Sequence, residues 1–268
     1  MKRAVLTEYS ISAQQALKRT VKIAHVSDLH ERRADDVMAL LQQAKPDFIV
    51  ITGDTYERYN EDRPHYDFTG KPIKRLFITT VYRLNQFAYR FTKSASEKGT
   101  EVANDFVKRT AKIAPVFMSL GNHEETLFAD DYRFLKSCGI RLLDNADTDF
   151  FINGIRIRIG GLSPEPDMTW LEHFAQKDGF KLLLCHHPEF YDKLLADKNF
   201  DLILTGHTHG GQIRLFGKGL FAPYQGAFPK YDYGMFHNRM IISAGCSNTT
   251  AVPRLGNPRE LVMINLTS

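Results

Sequence analysis

Short apolar stretches recur five times along this chain, and each runs directly into residues that can bind a metal. The stretches cover residues 21–26, 48–52, 115–120, 181–185 and 201–205. Their β-branched and aliphatic residues, bounded by Gly, Asp and Asn, predict buried β-strands. Because α/β sheets carry their chemistry at the carboxyl ends of strands, the pattern predicts one shared site at a sheet edge.

The residues at these strand ends are acids, histidines and one asparagine. In chain order they are Asp28, His30, Asp54, Asn122, His186, His207 and His209, the last two within the glycine-flanked stretch 206–211. A turn or helix cap explains any single strand end more simply, but five in one chain indicate a common site. Nitrogen and oxygen ligands without a thiolate suit Mn²⁺, Fe or Zn²⁺. Seven ligands suffice for two ions that share a bridging carboxylate.

Other patterns indicate that the strands belong to mixed sheets. Residues 34–45 have the apolar spacing of a helix between the first two strands. An Asn-Gly turn at Asn153 and Gly154 separates two alternating runs within residues 150–159 and predicts a β-hairpin. Residues 240–243 and 261–264 predict closing strands. Antiparallel elements therefore accompany the βα units.

Composition excludes several classes of protein. A net charge of +4 is too small to indicate nucleic-acid binding, so no nucleic acid is expected as a partner. The three cysteines are scattered without paired spacing and indicate reduced thiols. There is no apolar run of about 20 residues and no apolar core of a signal peptide at the start. We therefore expect a cytoplasmic location, with peripheral contact to a membrane as a refinement.

The segment 56–112 interrupts the rhythm of strands and is interpreted as an insert in a single domain 1–268. Its part 71–93 carries six basic residues and no acid, with apolar residues at helical spacing. One interpretation is a helix packed on the domain with a solvated cationic face. The other is a cationic amphipathic lid, or a membrane-surface element, for an anionic substrate with an apolar tail.

Five motifs together resemble those of the calcineurin-like metallophosphoesterase superfamily. They are Asp28-Leu29-His30, Gly53-Asp54, Gly121-Asn122-His123-Glu124, His186 and Gly206-His207-Thr208-His209. The residues Gly210-Gly211-Gln212-Ile213-Arg214-Leu215 and Phe228-Pro229-Lys230-Tyr231 further resemble the branch with YkuE-like phosphoesterases and certain UDP-2,3-diacylglucosamine pyrophosphatases. The resemblance implies an α/β fold: a four-layer α/β/β/α sandwich of two mixed sheets flanked by helices.

The resemblance also implies a role for each candidate residue. Asp28, His30 and His209 would hold one divalent ion and Asn122, His186 and His207 the other, with Asp54 bridging and with His186 preferred over His187. The ions, Mn²⁺ in the first instance with Fe or Zn²⁺ as alternatives, would provide a bridging hydroxide for in-line attack on phosphorus.

Three further residues are candidates for the site beside the metal ligands. His123 would protonate the leaving oxygen or donate to the charged transition state, or else orient a ligand. Arg58 is a candidate phosphate contact, with an exposed loop arginine as the alternative. Gly210, with Gly211, is expected to make room for the substrate phosphate.

The expected function is hydrolysis of a phosphodiester, pyrophosphate or phosphomonoester bond by a dinuclear metal enzyme. A phosphorylated small molecule or a lipid-linked nucleotide diphosphate is the expected substrate, and the segment 71–93 is the expected membrane contact. Two alternative functions are a scaffold that kept the fold without catalysis and a nuclease. The nuclease is less favoured, because the aromatic residues of the insert fall on its apolar stripe and not among its basic positions.

Overall fold

Two six-stranded sheets form the centre of the molecule. The computed structural model describes residues 3–58, 96–124, 126–248 and 252–268. The strands are β1 (Val5–Ser12), β2 (Val21–Val26), β3 (Phe48–Thr52), β4 (Val116–Ser119), β5 (Arg141–Leu143), β6 (Ala146–Ile152), β7 (Ile155–Leu162), β8 (Phe180–Cys185), β9 (Leu202–Thr205), β10 (Arg214–Leu215), β11 (Lys218–Gly219), β12 (Phe221–Ala222), β13 (Gly226–Ala227), β14 (Gly234–Phe236), β15 (Met240–Ile242) and β16 (Glu260–Thr267). The helices are α1 (Asp35–Ala44), α2 (Ser96–Ala111), α3 (Ala129–Ser137) and α4 (Met168–Ala175).

Both sheets are mixed, as the sequence predicts. The first has the order β1-β16-β2-β3-β4-β5, and the second has the order β14-β15-β9-β8-β7-β6. The strands β2, β3, β4 and β5 are parallel, and β16 runs antiparallel to β2. In the second sheet β7, β8, β9 and β15 are parallel, while β6 and β14 are antiparallel to their neighbours.

The sheets pack face to face, and helices cover their outer faces. Ile23, Phe48 and Phe117 of the first sheet meet Ile157, Leu182 and Leu204 of the second in one buried cluster. A second cluster packs α1, α2 and α3 on the outer face of the first sheet, and a third packs α4 on the outer face of the second. Apolar residues on both faces of the central strands explain their uninterrupted hydrophobic sequences. The four-layer α/β/β/α sandwich is confirmed.

The predicted hairpin is present, whereas the first strand was not foreseen. Asn153 and Gly154 have φ values of 50° and 88° between β6 and β7, which fits a two-residue turn with both central residues left-handed. Strand β1 pairs in parallel with β16 along its whole length at the sheet edge. Its residues are mostly exposed or half-buried, so its sequence lacks the continuous apolar run that identifies the central strands.

Both described ends of the predicted insert belong to the body of the fold. Tyr56 is completely buried in the outer cluster of the first sheet. At the other end, Ala103, Phe106 and Val107 of α2 pack into the same cluster. The basic segment 71–93 lies outside the described residues. Among the described helices, none is long and apolar enough to cross a membrane.

Candidate metal centre

The seven predicted ligand residues follow the carboxyl ends of β2, β3, β4, β8 and β9, and six of their side chains, those of Asp28, His30, Asp54, His186, His207 and His209, fall into two close groups. Each of the seven residues is buried, with the largest exposed fraction, 8%, at His209. The Oδ2 atom of Asp54 lies centrally, 3.0 Å from Nε2 of His186 and 3.4 Å from Nε2 of His30. The carboxylate of Asp54 therefore stands between groups contributed by the two sheets.

On one side of Asp54 lies the group Asp28, His30 and His209. The Oδ1 atom of Asp28 is 3.8 Å from Nε2 of His30 and 3.5 Å from Nε2 of His209. All three ligand atoms lie within 4.8 Å of one another. Ligands about 2.1 Å from one ion are separated by roughly 3 to 4 Å, so these spacings fit a common cation.

On the other side lie His186 and His207, which with Asp54 form a second group within the same 4.8 Å limit. The rings of His186 and His207 are 5.0 Å apart. Asn122 is 6% exposed and follows β4 at the same edge. The structure thus groups Asp28 with His30 and His209, and Asp54 with His186 and His207.

Buried atoms without hydrogen-bond partners show that these residues fit cations. Among the described residues, no well-aligned hydrogen bond reaches Nε2 of His30, His186 or His207, or Oδ1 of Asn122, and the nearest acceptor to Nε2 of His186 is Oδ2 of Asp54 at 3.0 Å. A buried polar atom left without a partner costs roughly 1–3 kcal/mol. Four such atoms around one carboxylate are explained if ions complete their coordination. The donor set contains only nitrogen and oxygen, which suits Mn²⁺, Fe or Zn²⁺.

The backbone at this edge is held in unusual conformations. Five of the seven candidates have positive φ: Asp28, His30, Asp54, His207 and His209, between 48° and 71°. Non-glycine residues in this region carry a free-energy cost of about 1 kcal/mol or more, and such strain is concentrated at functional sites. Positive φ occurs at both candidate ligands of the loop after β2 and at both of the loop after β9.

Hydrogen bonds between loops fix this arrangement across the two sheets. Nδ1 of His186 lies 2.6 Å from the carbonyl oxygen of Thr52. The backbone N–H of His207 donates to the carboxylate of Asp28 at 3.1 Å, and that of His123 donates to Asp54 at 3.0 Å. Gly53 has φ +82°, and a Cβ there would lie 2.3 Å from the backbone nitrogen of Gly121. The loops after β3 and β4 therefore touch at their backbones.

Glu124 has a role that the sequence analysis did not assign. Its buried carboxylate accepts backbone hydrogen bonds from Asp54, Thr55, Tyr56 and Gly121 at 2.5 to 2.9 Å. A carboxylate that accepts several backbone N–H groups is a strong local anchor. It holds the loop of Asp54 against the loop of Asn122. Three of its four backbone partners lie 68 to 70 residues earlier in the chain, so no local pattern signals this role.

Glu57 is a second functional residue that sequence reasoning missed. Its Oε1 lies 2.8 Å from Nδ1 of His30, and its Oε2 lies 2.8 Å from Nδ1 of His123. One carboxylate thus orients both a candidate ligand and the candidate proton donor. Its position three residues after Asp54 was the available signal, but Glu57 was assigned to the insert.

His123 lies at the open side of the centre. Its side chain is 27% exposed, and its Nε2 is 3.8 Å from Oδ2 of Asp54. Burial opposes protonation, but the carboxylates of Glu57 and Asp54 outweigh it and raise the pKa of His123. The imidazole is therefore easier to protonate than an ordinary histidine side chain.

The buried imidazoles divide into two protonation states in the absence of cations. Burial alone would lower the pKa of His186, but the carboxylate of Asp54 outweighs it and raises this pKa to about 9. For His209, burial prevails over the charge of Asp28 and lowers the pKa to about 3. A proton on His186 occupies the place of a cation, so metal binding must release it.

His187, the alternative to His186, faces a different partner. Its Nδ1 lies 3.0 Å from Oε1 of Glu189, and its ring is 4.4 Å from that of His207. His187, Glu189 and His207 form a further group within 4.8 Å. Of the two neighbouring histidines, His186 is the one whose Nε2 lies 3.0 Å from Oδ2 of Asp54.

Arg58, a candidate phosphate contact, bonds to other residues of the protein. Arg58 donates to Asp131, Glu31 and Thr100, and all three of its side-chain nitrogens have protein partners. It connects the loop after β3 to α2 and α3, so the interpretation as a phosphate contact is corrected to a structural link.

The expectation that Gly210 makes room for the phosphate is also corrected. A Cβ at Gly210 would lie 2.3 Å from Nη2 of Arg214 and 2.4 Å from Oδ1 of Asn257. Likewise, a Cβ at Gly211 would lie 2.2 Å from Cα of Gly219. Both glycines are needed because protein atoms pack against them.

Comparison with known proteins agrees with this geometry. The family model of calcineurin-like phosphoesterases matches residues 21–211, which include every candidate ligand. Protein YpbG of Bacillus subtilis is 27% identical over 258 residues, which cover 93% of this chain and 82% of YpbG. Phosphodiesterase YaeI of Escherichia coli is 25% identical over 265 residues, 91% of this chain and 82% of YaeI. A metallophosphoesterase of Campylobacter jejuni, Cj0846, is 27% identical over 93% of this chain and 60% of its own length. The chain therefore belongs to the calcineurin-like phosphoesterase family and is a metal-dependent phosphoesterase.

Proposed function

We propose that this enzyme uses two divalent cations, Mn²⁺ in the first instance, to hydrolyse a phosphodiester, pyrophosphate or phosphomonoester bond. The observation that carries the proposal is the set of buried atoms on His30, Asn122, His186 and His207 that no well-aligned hydrogen bond from the described residues satisfies. In this proposal Asp28, His30 and His209 hold one cation, Asn122, His186 and His207 hold the other, and Asp54 bridges.

The cations, when bound, supply a hydroxide nucleophile at neutral pH for in-line attack and neutralise charge on the phosphoryl oxygens. The chain supplies the proton. His123, held by Glu57 and beside Asp54, donates it from Nε2 to the leaving oxygen. Glu57 fixes the orientation of His123 and of His30 through their Nδ1 atoms, so the proton donor and one residue that would hold a cation share a single anchor.

The first substrate to test is a small phosphodiester, since the relative YaeI bears the name of a phosphodiesterase. Purified protein reconstituted with Mn²⁺ should hydrolyse bis-p-nitrophenyl phosphate. Asp54→Ala should abolish the metal-stimulated rate, because it removes the carboxylate that lies 3.0 Å from Nε2 of His186 and 3.4 Å from Nε2 of His30. Equal turnover by the wild type and Asp54→Ala would refute the proposal. Less than one ion per chain after reconstitution would favour the scaffold alternative. Turnover after reconstitution with Fe or Zn²⁺, compared with Mn²⁺, would show which ion supports the highest activity.

A lipid-linked nucleotide diphosphate is the more specific substrate that we propose. Its support is the basic, amphipathic sequence of residues 71–93, which also suggests peripheral contact with a membrane. Deletion of this segment should impair turnover of a lipid diphosphate much more than turnover of the small ester. Equal impairment of both reactions would argue against the lipid substrate while leaving the phosphoesterase proposal intact.

A further inference from the structure

The segment 212–239 directly follows the last candidate ligand and exposes large apolar side chains to water. Exposed fractions are 106% for Phe216, 79% for Phe228, 53% for Leu215, 45% for Tyr224 and 37% for Met235. The exposed charged residues of the segment are both lysines, Lys218 and Lys230. Its single acid, Asp232, is 9% exposed and accepts hydrogen bonds from the backbone of Gly219 and Tyr233. The surface is therefore apolar and cationic.

The exposed aromatic residues stand at turn positions that disfavour them. Phe216, Tyr224 and Phe228 have φ values of 51°, 58° and 53°. Glycine or asparagine adopts this left-handed conformation readily, whereas a bulky side chain there is an outlier. Phe216 lies in the two-residue turn between β10 and β11, where Asn-Gly is the favoured sequence. Folding gains little from rings that are strained and exposed, so a partner outside the chain accounts for them.

Hydrogen bonds connect this surface to the loop that carries His207 and His209. The backbone N–H of Leu220 donates to the carbonyl oxygens of Gly211 at 3.1 Å and Ile213 at 2.8 Å. The N–H of Phe228 donates in turn to Leu220 at 2.9 Å. At the inner end of the surface, the ring of Tyr224 lies 5.1 Å from that of His207. A partner that covers the aromatic turns would therefore also border the metal centre.

We infer that the segment 212–239 binds the surface of an anionic lipid bilayer, with Phe216 and Phe228 inserted among the lipids. Aromatic rings on separate turns with lysines beside them fit the boundary between headgroups and acyl chains. Lys218, two residues from Phe216, forms no ion pair among the described residues and is available to an anionic headgroup. Lys230 shares its charge with Asp192 at 2.7 Å. The bilayer would then present substrate at the edge of the metal centre.

Vesicle binding tests this inference without any measurement of turnover. The full chain should sediment with vesicles of phosphatidylcholine mixed with phosphatidylglycerol, and less with phosphatidylcholine alone. The double variant Phe216→Asn and Phe228→Asn should reduce the partition coefficient on the order of tenfold or more. Because asparagine accepts left-handed turns, thermal stability should be equal to or above that of the wild type. Turnover of the small ester should be unchanged.

Phe151 provides the matched control, since it is 70% exposed on β6, at the far edge of the second sheet from β14. Phe151→Thr should keep wild-type vesicle binding, whereas Lys218→Gln should reduce the preference for anionic vesicles.

Three outcomes would overturn the inference. The wild type could fail to bind anionic vesicles, the double variant could bind as well as the wild type, or Phe151→Thr could weaken binding equally. If binding survives the double variant, another part of the chain is responsible for it. Residues 59–95 are the first candidate, because they contain the basic segment 71–93 and are intact in every variant. The inference does not depend on the proposed function, because vesicle binding without ester hydrolysis would support it while contradicting the proposed catalysis.

Discussion

The interior of the sandwich and the edge where its central strands end are built from the same segments by opposite rules. Between the sheets, Phe48 and Phe117 pack with rings 5.8 Å apart in a cluster of apolar residues. A few residues beyond these strands, Asp54 and Asn122 lie buried among polar groups that lack partners. No residue within β2, β3, β4, β8 or β9 has a positive φ, whereas five of the seven candidate ligands do.

This difference indicates that stability and chemistry are separated along each strand. The interior gains free energy by removing apolar surface from water. The edge holds strained backbone and unpartnered buried atoms, which are costs that the interior must offset. Changes in the interior should therefore alter stability without altering turnover, and changes at the edge should do the reverse where packing allows.

The largest effect on stability is expected for Phe117→Ala. Phe117 is fully buried and contacts Phe48 and Phe150, so the change should lower the free energy of unfolding by about 3–5 kcal/mol. Turnover per folded molecule should stay within about twofold of the wild type, measured at a temperature where both proteins are folded. Urea unfolding and ester hydrolysis provide the two readouts. A large fall in turnover of the folded variant would show that the two regions are not separable.

Gly210→Ala should show that the edge is closely packed despite its polar composition. The new Cβ would overlap Arg214 and Asn257, and alanine would carry a φ of +62°, so a loss of about 2 kcal/mol is expected. Turnover should also fall, because His209 adjoins the displaced residue. A variant of wild-type stability with only a raised KM would instead support the original interpretation that Gly210 makes room for phosphate.

Glu57→Gln should lower kcat by about 10- to 100-fold with little loss of stability. The amide cannot accept hydrogen bonds from both His30 and His123 as the carboxylate does. Comparison of Glu57→Gln, His123→Ala and the double variant gives the coupling between the two residues. Because both act on one proton transfer, the double variant should be hardly slower than His123→Ala. Fully multiplicative effects would mean that Glu57 acts only through His30.

The smallest effect is a difference in acid stability at Glu189. Burial opposes its ionisation, but the hydrogen bond to His187 and the nearby His207 outweigh burial and lower the pKa to about 2. Since this is below the ordinary value of 4.5, Glu189 stabilises the metal-free fold above pH 4.5 and loses that contribution as the pH falls toward 2. Glu189→Gln should therefore be less stable than the wild type above pH 4.5, and the gap should narrow below it. Parallel pH profiles in urea unfolding would contradict this.

Local amino-acid sequence was sufficient to predict the fold class and the positions of the candidate ligands along the chain. Each of the five apolar strands and the Asp, His or Asn that follows it can be predicted from a short stretch of sequence, because the pattern of neighbouring residues indicates where a strand forms and where it ends. The same holds for the hairpin at Asn153 and Gly154, whose turn needs left-handed residues. The edge strand β1 lacked such a signature, since only its pairing with β16 across the whole chain holds it in place.

The tertiary structure alone decided which neighbouring residues serve the site. Glu57 and Glu124 act through atoms about 27 to 70 residues away in sequence, and no local pattern encodes such contacts. Residue type suggested Arg58 and Gly210 as substrate contacts. In the structure, the side chain of Arg58 donates to Asp131 of α3, and Asn257 of the loop before β16 packs against Gly210. The aromatic turns of segment 212–239 also emerged only from their exposure and φ angles. Local sequence specifies secondary structure and ligand chemistry, whereas packing decides which polar group is satisfied by the protein and which is left for a ligand.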